Sequence, residues 1–135
     1  MANTGYSYVI RLSKSHLEWG THRYTGSRDA IYGEGYIPIP AKVARDQDIF
    51  NSNGTGDQDI LGQNIFKCSS ADGYLNGVVM RAQGCTQAGS IYAKQFSANG
   101  NLKVLGQWYQ HMNCQVGDSV RVTWTAPNQI LIEKI

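Results

Sequence analysis

Seven residues near the start, Tyr6 to Leu12, alternate in character, with Tyr6, Tyr8, Ile10 and Leu12 on one face. A period of two puts successive side chains on opposite faces of a strand, so this segment predicts a half-buried β-strand. The same reasoning predicts strands over Ile60 to Cys68, Tyr74 to Ala82, Ser90 to Phe96, Ser119 to Thr125 and Gln129 to Lys134. Turn dipeptides separate them: Asp72-Gly73, Asn99-Gly100, Gly117-Asp118 and Pro127-Asn128. Tyr36 to Pro40 is extended, because a residue before proline is pushed into the β region. Pro40 then opens a short helix running to Asp48. Val104, Leu105, Trp108 and Met112 recur at helical spacing and predict a second helix over Val104 to Asn113.

Two stretches fit no period. Ser13 to Gly35 is too long for a turn and holds Trp19, Tyr24, Tyr32, Arg23 and Arg28. Long loops in compact domains are usually functional or disordered. Gln83 to Gly89 is a second polar loop. The expected architecture is mainly β: an open or closed pseudobarrel of about seven strands, with two short helices near its openings and two long loops. No repeat or boundary divides the chain, so residues 1–135 are read as a single domain.

Composition agrees and adds little. The chain has 135 residues, 41% apolar and 16% charged, which suits one hydrophobic core. The net charge of +2 is small, but its distribution is uneven. Arg11, Lys14, Arg23, Arg28, Lys42 and Arg45 outnumber Glu18, Asp29 and Glu34 between positions 11 and 45. Between Gly73 and Gly117 lie Arg81, Lys94 and Lys103 and no acid, whereas Asp46, Asp48, Asp57 and Asp59 cluster. Such segregation leads one to expect a dipole with one positive face. Cys68, Cys85 and Cys114 are odd in number and widely spaced, which argues against a disulfide framework or zinc site. No apolar run approaches membrane-spanning length, and Met1-Ala2-Asn3-Thr4 does not open a signal peptide. A cytoplasmic protein without a membrane partner is expected.

Catalytic signatures are missing. There is no phosphate-cradling glycine loop and no Gly-x-Ser-x-Gly elbow. The pairs Asp46/Asp48 and Asp57/Asp59 offer carboxylates for a divalent metal, but the second pair sits in a turn-rich stretch where aspartate serves the backbone. The histidines show no local partner that would make them bases. No catalytic residue, metal or cofactor is assigned, and no enzymatic activity is expected.

The loops suit binding. In the first, Trp19, Gly20, His22, Arg23, Tyr24, Arg28 and Glu34 form the candidate set. Arginine chelates the two acceptors of guanine, and glycine permits close backbone approach to phosphate. Trp19 is read as the anchor that pins this loop to the barrel. The second loop and its flanks supply Arg81, Gln83, Gln87, Tyr92, Lys94 and Gln95. Glutamine pairs with adenine and lysine neutralises phosphate.

At these residues the chain resembles the C-terminal DNA-recognition domain of phospholipase-D-like restriction endonucleases of the BfiI and NgoFVII kind. That domain shares a seven-stranded pseudobarrel with the plant B-three transcription-factor domain. The resemblance runs through Leu17-x-Trp19-Gly20, Arg23, Arg28, Glu34-x-Tyr36-Ile37-Pro38-Ile39-Pro40, Arg81-Ala82-Gln83, Lys94, Leu105-Gly106-Gln107-Trp108, Gly117 and Val120 to Ile135. It implies sequence-specific binding of double-stranded DNA by two arms in the major groove, about Ser15 to Glu34 and Gln83 to Gln95. It further implies a restriction system in which cleavage belongs to a separate nuclease domain or subunit. Gln110 and His111 stand where the family pattern leads one to expect arginines, and no His-x-Lys nuclease signature occurs. The competing readings are a carbohydrate- or ligand-binding β-barrel and a small metal-dependent nuclease.

Overall fold

A computed structural model describes residues 3–13, 35–51, 60–83, 91–98 and 103–135. Its strands are β1 Ser7–Arg11, β2 Ile37–Pro38, β3 Ile65–Ser70, β4 Val78–Gln83, β5 Gln95–Ala98, β6 Ser119–Ala126 and β7 Gln129–Lys134. Among the described residues two helices, α1 Ala41–Asp46 and α2 Val104–His111, follow β2 and β5. The strands form one sheet in the order β1-β6-β7-β3-β4-β5-β2, curled into a nearly closed barrel. Every neighbouring pair is antiparallel except β3 with β7. The terminal strands of that order, β1 and β2, are joined by a side chain: the Tyr8 hydroxyl donates to the Pro38 carbonyl at 3.1 Å.

Alternation carries the core. On β1, Tyr8 and Ile10 turn inward while Ser7, Val9 and Arg11 face out. On β6, Val120, Val122 and Trp124 are fully buried. Trp124 lies at the centre of an aromatic cluster, with ring centroids 6.0 Å from Tyr6 and Tyr8, 6.2 Å from Phe66 and 6.3 Å from Phe96. The interior is thus filled by side chains, as small barrels require.

The register assigns each strand a direction. One end holds the starts of β1, β3, β5 and β7 and the ends of β2, β4 and β6; α1 lies there, between β2 and β3. The other end holds α2, between β5 and β6. The helices therefore occupy opposite ends of the barrel. Both stop by the same device. Asp48 (φ 55°) and Asn113 (φ 53°) adopt the left-handed conformation just past the helix. Ile49 N–H then donates to Ala44 O, and Cys114 N–H to Tyr109 O, each at 2.9 Å. This is the Schellman arrangement, with Asp and Asn replacing the usual glycine because their short polar side chains tolerate that region.

Several boundaries differ from the sequence reading. Pro40 (φ −57°, ψ 142°) is the residue before α1 rather than its first turn. Residues 60–64 form a turn, not the start of β3: Ile60 O accepts from Gln63 and Asn64, and Gly62 has φ +92°. Asp72 and Gly73 lie within a longer connection, residues 71–77, so β4 starts at Val78. Ser69 and Ser70 hydroxyls stabilise it by accepting from Gly77 and Leu75 N–H. The predicted strand Ser90 to Phe96 is displaced to Gln95–Ala98, with Tyr92 making only an isolated bridge to Phe50.

Candidate nucleic-acid interface

Of the predicted contact residues, Trp19, Gly20, His22, Arg23, Tyr24, Arg28, Glu34 and Gln87 lie outside the described residues. Arg81, Gln83, Tyr92, Lys94 and Gln95 are described, and the fold gathers four of them at one end of the barrel. Met80 and Ala82 point inward on β4, so Arg81 and Gln83 occupy its outward row. Gln83 stands directly opposite Gln95, and Arg81 opposite Ser97. Directly paired residues bring their Cβ atoms within about 5 Å.

Lys94 continues from that pair. Its N–H donates to Gln83 O and its carbonyl accepts from Ile39 N–H, both at 2.8 Å. The backbone is fixed on both sides while the residue remains exposed. Tyr92 is half-buried and stacks on Phe50, with centroids 5.8 Å apart and planes 18° from parallel. Gln83 is less available than its type suggests. Its Oε1 accepts from the Ser97 hydroxyl at 3.1 Å, so a bidentate adenine contact would have to displace that bond.

Beside these residues opens a cleft of about 380 Å³ lined by Ile39, Ala41, Arg45, Tyr92, Ala93 and Lys94. Arg45 did not emerge from the sequence as a contact residue. Ala41 and Arg45 are one helical turn apart and share a face of α1, which brings Arg45 to the same cleft as Lys94. Among the described residues the lining includes two cations, one aromatic ring and no acid.

The opposite end carries a second polar cluster. Asp72 Oδ1 accepts from the indole N–H of fully buried Trp108 at 3.1 Å, and Asp72 Oδ2 lies 3.2 Å from His111 Nε2. Burial pushes the Asp72 carboxyl up, but hydrogen bonds from Trp108, Ser70 and its own backbone, with His111 nearby, hold it below the usual value. Tyr74 stacks on the His111 ring at 4.1 Å. His111 therefore has a carboxylate partner, contrary to the sequence reading, because residues 39 positions apart meet only in the fold. The carboxylate is committed to Trp108 as well, which marks the cluster as a clasp between α2 and the β3–β4 connection.

The thiols differ in setting. Cys68 is fully buried in the core, where burial pushes it up to about 12. Cys114 is partly buried and also raised, by burial first. Asp46 and Asp48 flank the end of α1, while Asp57 and Asp59 lie outside the described residues. Among the described residues, no group of three or more His, Cys, Asp or Glu is placed to hold a metal ion. No described helix is long and apolar enough to cross a membrane.

The chain matches no family model, no curated protein and no solved structure.

Proposed function

We propose that this protein binds double-stranded DNA sequence-specifically, through two arms in the major groove, as the recognition module or subunit of a restriction system. The supporting observation is the convergence of Arg45, Lys94 and Tyr92, with Gln83 and Gln95 beside them, at the root of residues 84–90. Cations neutralise phosphates, and an aromatic ring beside them offers a stacking surface. Among the described residues core side chains fill the barrel interior, which favours this reading over a barrel that holds a ligand in its lumen.

The two arms spring from opposite ends of the barrel. β1 ends and β2 begins at the α2 end, whereas β4 ends and β5 begins at the α1 end. A six-residue strand such as β4 is about 17 Å long at about 3.3 Å per step. That separation exceeds the roughly 12 Å width of a major groove, so arms rooted at both ends can enter it from either side.

In this reading Arg23 and Arg28 contact base edges and Lys94 contacts phosphate. Arg23→Ala and Arg28→Ala each cost about 1–3 kcal/mol on the preferred site and relax preference at one base position. Lys94→Ala weakens all duplexes alike and lowers the salt slope by about one unit. Duplex binding by each variant at several salt concentrations is the test. Unchanged affinity and preference in both arginine variants would remove the first arm from the interface.

A further inference from the structure

Among the described residues the cleft beside α1 is lined by two cations, one aromatic ring and a small helix residue, and this combination is more selective than a phosphate contact requires. Ile39 and Ala93 border it but are nearly inaccessible, so among the described residues its reachable apolar surface comes from Tyr92 and Ala41. Tyr92 stacks on Phe50 with ring centroids 5.8 Å apart. Arg45 extends from α1 and Lys94 from a backbone fixed on both sides. Ala41 supplies no bulk at the helix face, and this leaves the space open. A bare phosphate needs the cations but not the ring. A polyanion lying across a flat surface needs no cleft of about 380 Å³.

We infer that the cleft receives one nucleoside monophosphate unit, its base against Tyr92 and Ala41 and its phosphate between Arg45 and Lys94. This inference rests on the DNA-binding reading and adds to it. Tyr92 offers a ring face and Ala41 only a methyl group, so the described lining favours a flat aromatic base without distinguishing its edge. Every base has a π-face, and stacking on an aromatic side chain is tolerant of sequence. The unit has two sources: a nucleotide swung out of a duplex at a weak pair, or a free mononucleotide. Swinging out costs least where the base is already unpaired.

The test uses the full chain and four probes: adenosine 5′-monophosphate, inorganic phosphate, a matched duplex, and the same duplex with one unpaired nucleotide. Binding is read by calorimetry at low salt, with chemical-shift changes at Tyr92 and Ala93 as the site readout. The mononucleotide is expected to bind about tenfold more tightly than phosphate, the excess being the stacking contribution. Ala41→Phe fills the cleft without altering charge and abolishes that excess. Arg45→Gln, at an exposed position, weakens mononucleotide and phosphate alike by about fivefold. Lys67→Gln, an exposed cation on β3, leaves both unchanged. If Ala41→Phe does not fold, Arg45→Gln and the shifts at Tyr92 and Ala93 decide. A duplex with an unpaired nucleotide binding more tightly than the matched one, and competing with the mononucleotide, identifies DNA as the source. Equal duplex affinities alongside mononucleotide binding identify the free nucleotide. Mononucleotide binding no tighter than phosphate, or insensitive to Ala41→Phe in a folded variant, overturns the inference. Retention of salt-dependent matched-duplex binding in that case leaves the DNA reading standing; its loss removes both.

Discussion

Replacing Asp72 tests whether the clasp between α2 and the β3–β4 connection holds the barrel end together. Asp72→Ala leaves the indole N–H of Trp108, a fully buried residue, without its acceptor at 3.1 Å. An unsatisfied buried donor costs about 1–3 kcal/mol. The contact with His111 adds little, because the His111 side chain is 48% exposed and solvent screens the pair to about 0–1 kcal/mol. A total near 2 kcal/mol lowers the melting temperature by about 6–10 °C for a chain of this size. Asp72→Asn keeps an oxygen for Trp108 and forfeits only the charge, so it costs about 1 kcal/mol or less. The pH dependence follows from the direction of the Asp72 shift. Its folded value is depressed, so its stabilisation is complete above the ordinary carboxylate range and fades as pH falls through the folded value. The gap between native protein and Asp72→Asn, measured by urea unfolding at pH 7 and pH 3, is expected to shrink toward zero in acid. The gap to Asp72→Ala is expected to narrow but persist, since the protonated acid still accepts from Trp108. Equal costs for Asn and Ala, or a gap between native protein and Asn that widens in acid, would refute the reasoning.

Two further outcomes follow from local geometry. Asn113→Gly relieves the left-handed strain at the end of α2 and is expected to raise stability by up to about 1 kcal/mol, whereas Asn113→Ala lowers it by about as much; chemical denaturation distinguishes them. Cys68, with its thiol pushed up to about 12 in the core, is expected to resist alkylation at pH 8 in the native state and to react only on unfolding, as mass spectrometry at increasing denaturant would show.

The fold was legible wherever one periodicity ran uninterrupted. The strands β1, β6 and β7 match their alternating segments to within a residue at each end, because each has a buried face and a wetted face. The helix at Val104 showed in its apolar spacing, and its end at His111 reflects the Asn113 turn. The start of β3 was obscured because Ile60 and Leu61 look like strand residues, while Asn64 caps a turn by accepting from Ile60 N–H at 2.7 Å. The parallel pairing of β3 with β7 joins segments about 60 residues apart and leaves no local trace. The same limit applied to the candidate site. Lys94, Gln83 and Gln95 stood near one another in sequence, but Arg45 reached the cleft only through the fold, which sets α1 beside it. Ala41 at four residues before Arg45 was the available signal, a small residue on the face of a cation. His111 and Asp72, at opposite ends of the β4–α2 span, gave none.

The central claim is specific recognition of duplex DNA, and selection from a random duplex library over a salt series tests it most directly. Bound molecules are sequenced at each concentration, and the affinity of the enriched pool is measured in parallel. Specific binding is expected to give a shared sequence among retained duplexes and an affinity that falls with salt, with a logarithmic slope of about −0.9 per phosphate neutralised. Retention without a shared sequence would leave a nonspecific cationic surface, and no retention at low salt would contradict DNA binding altogether.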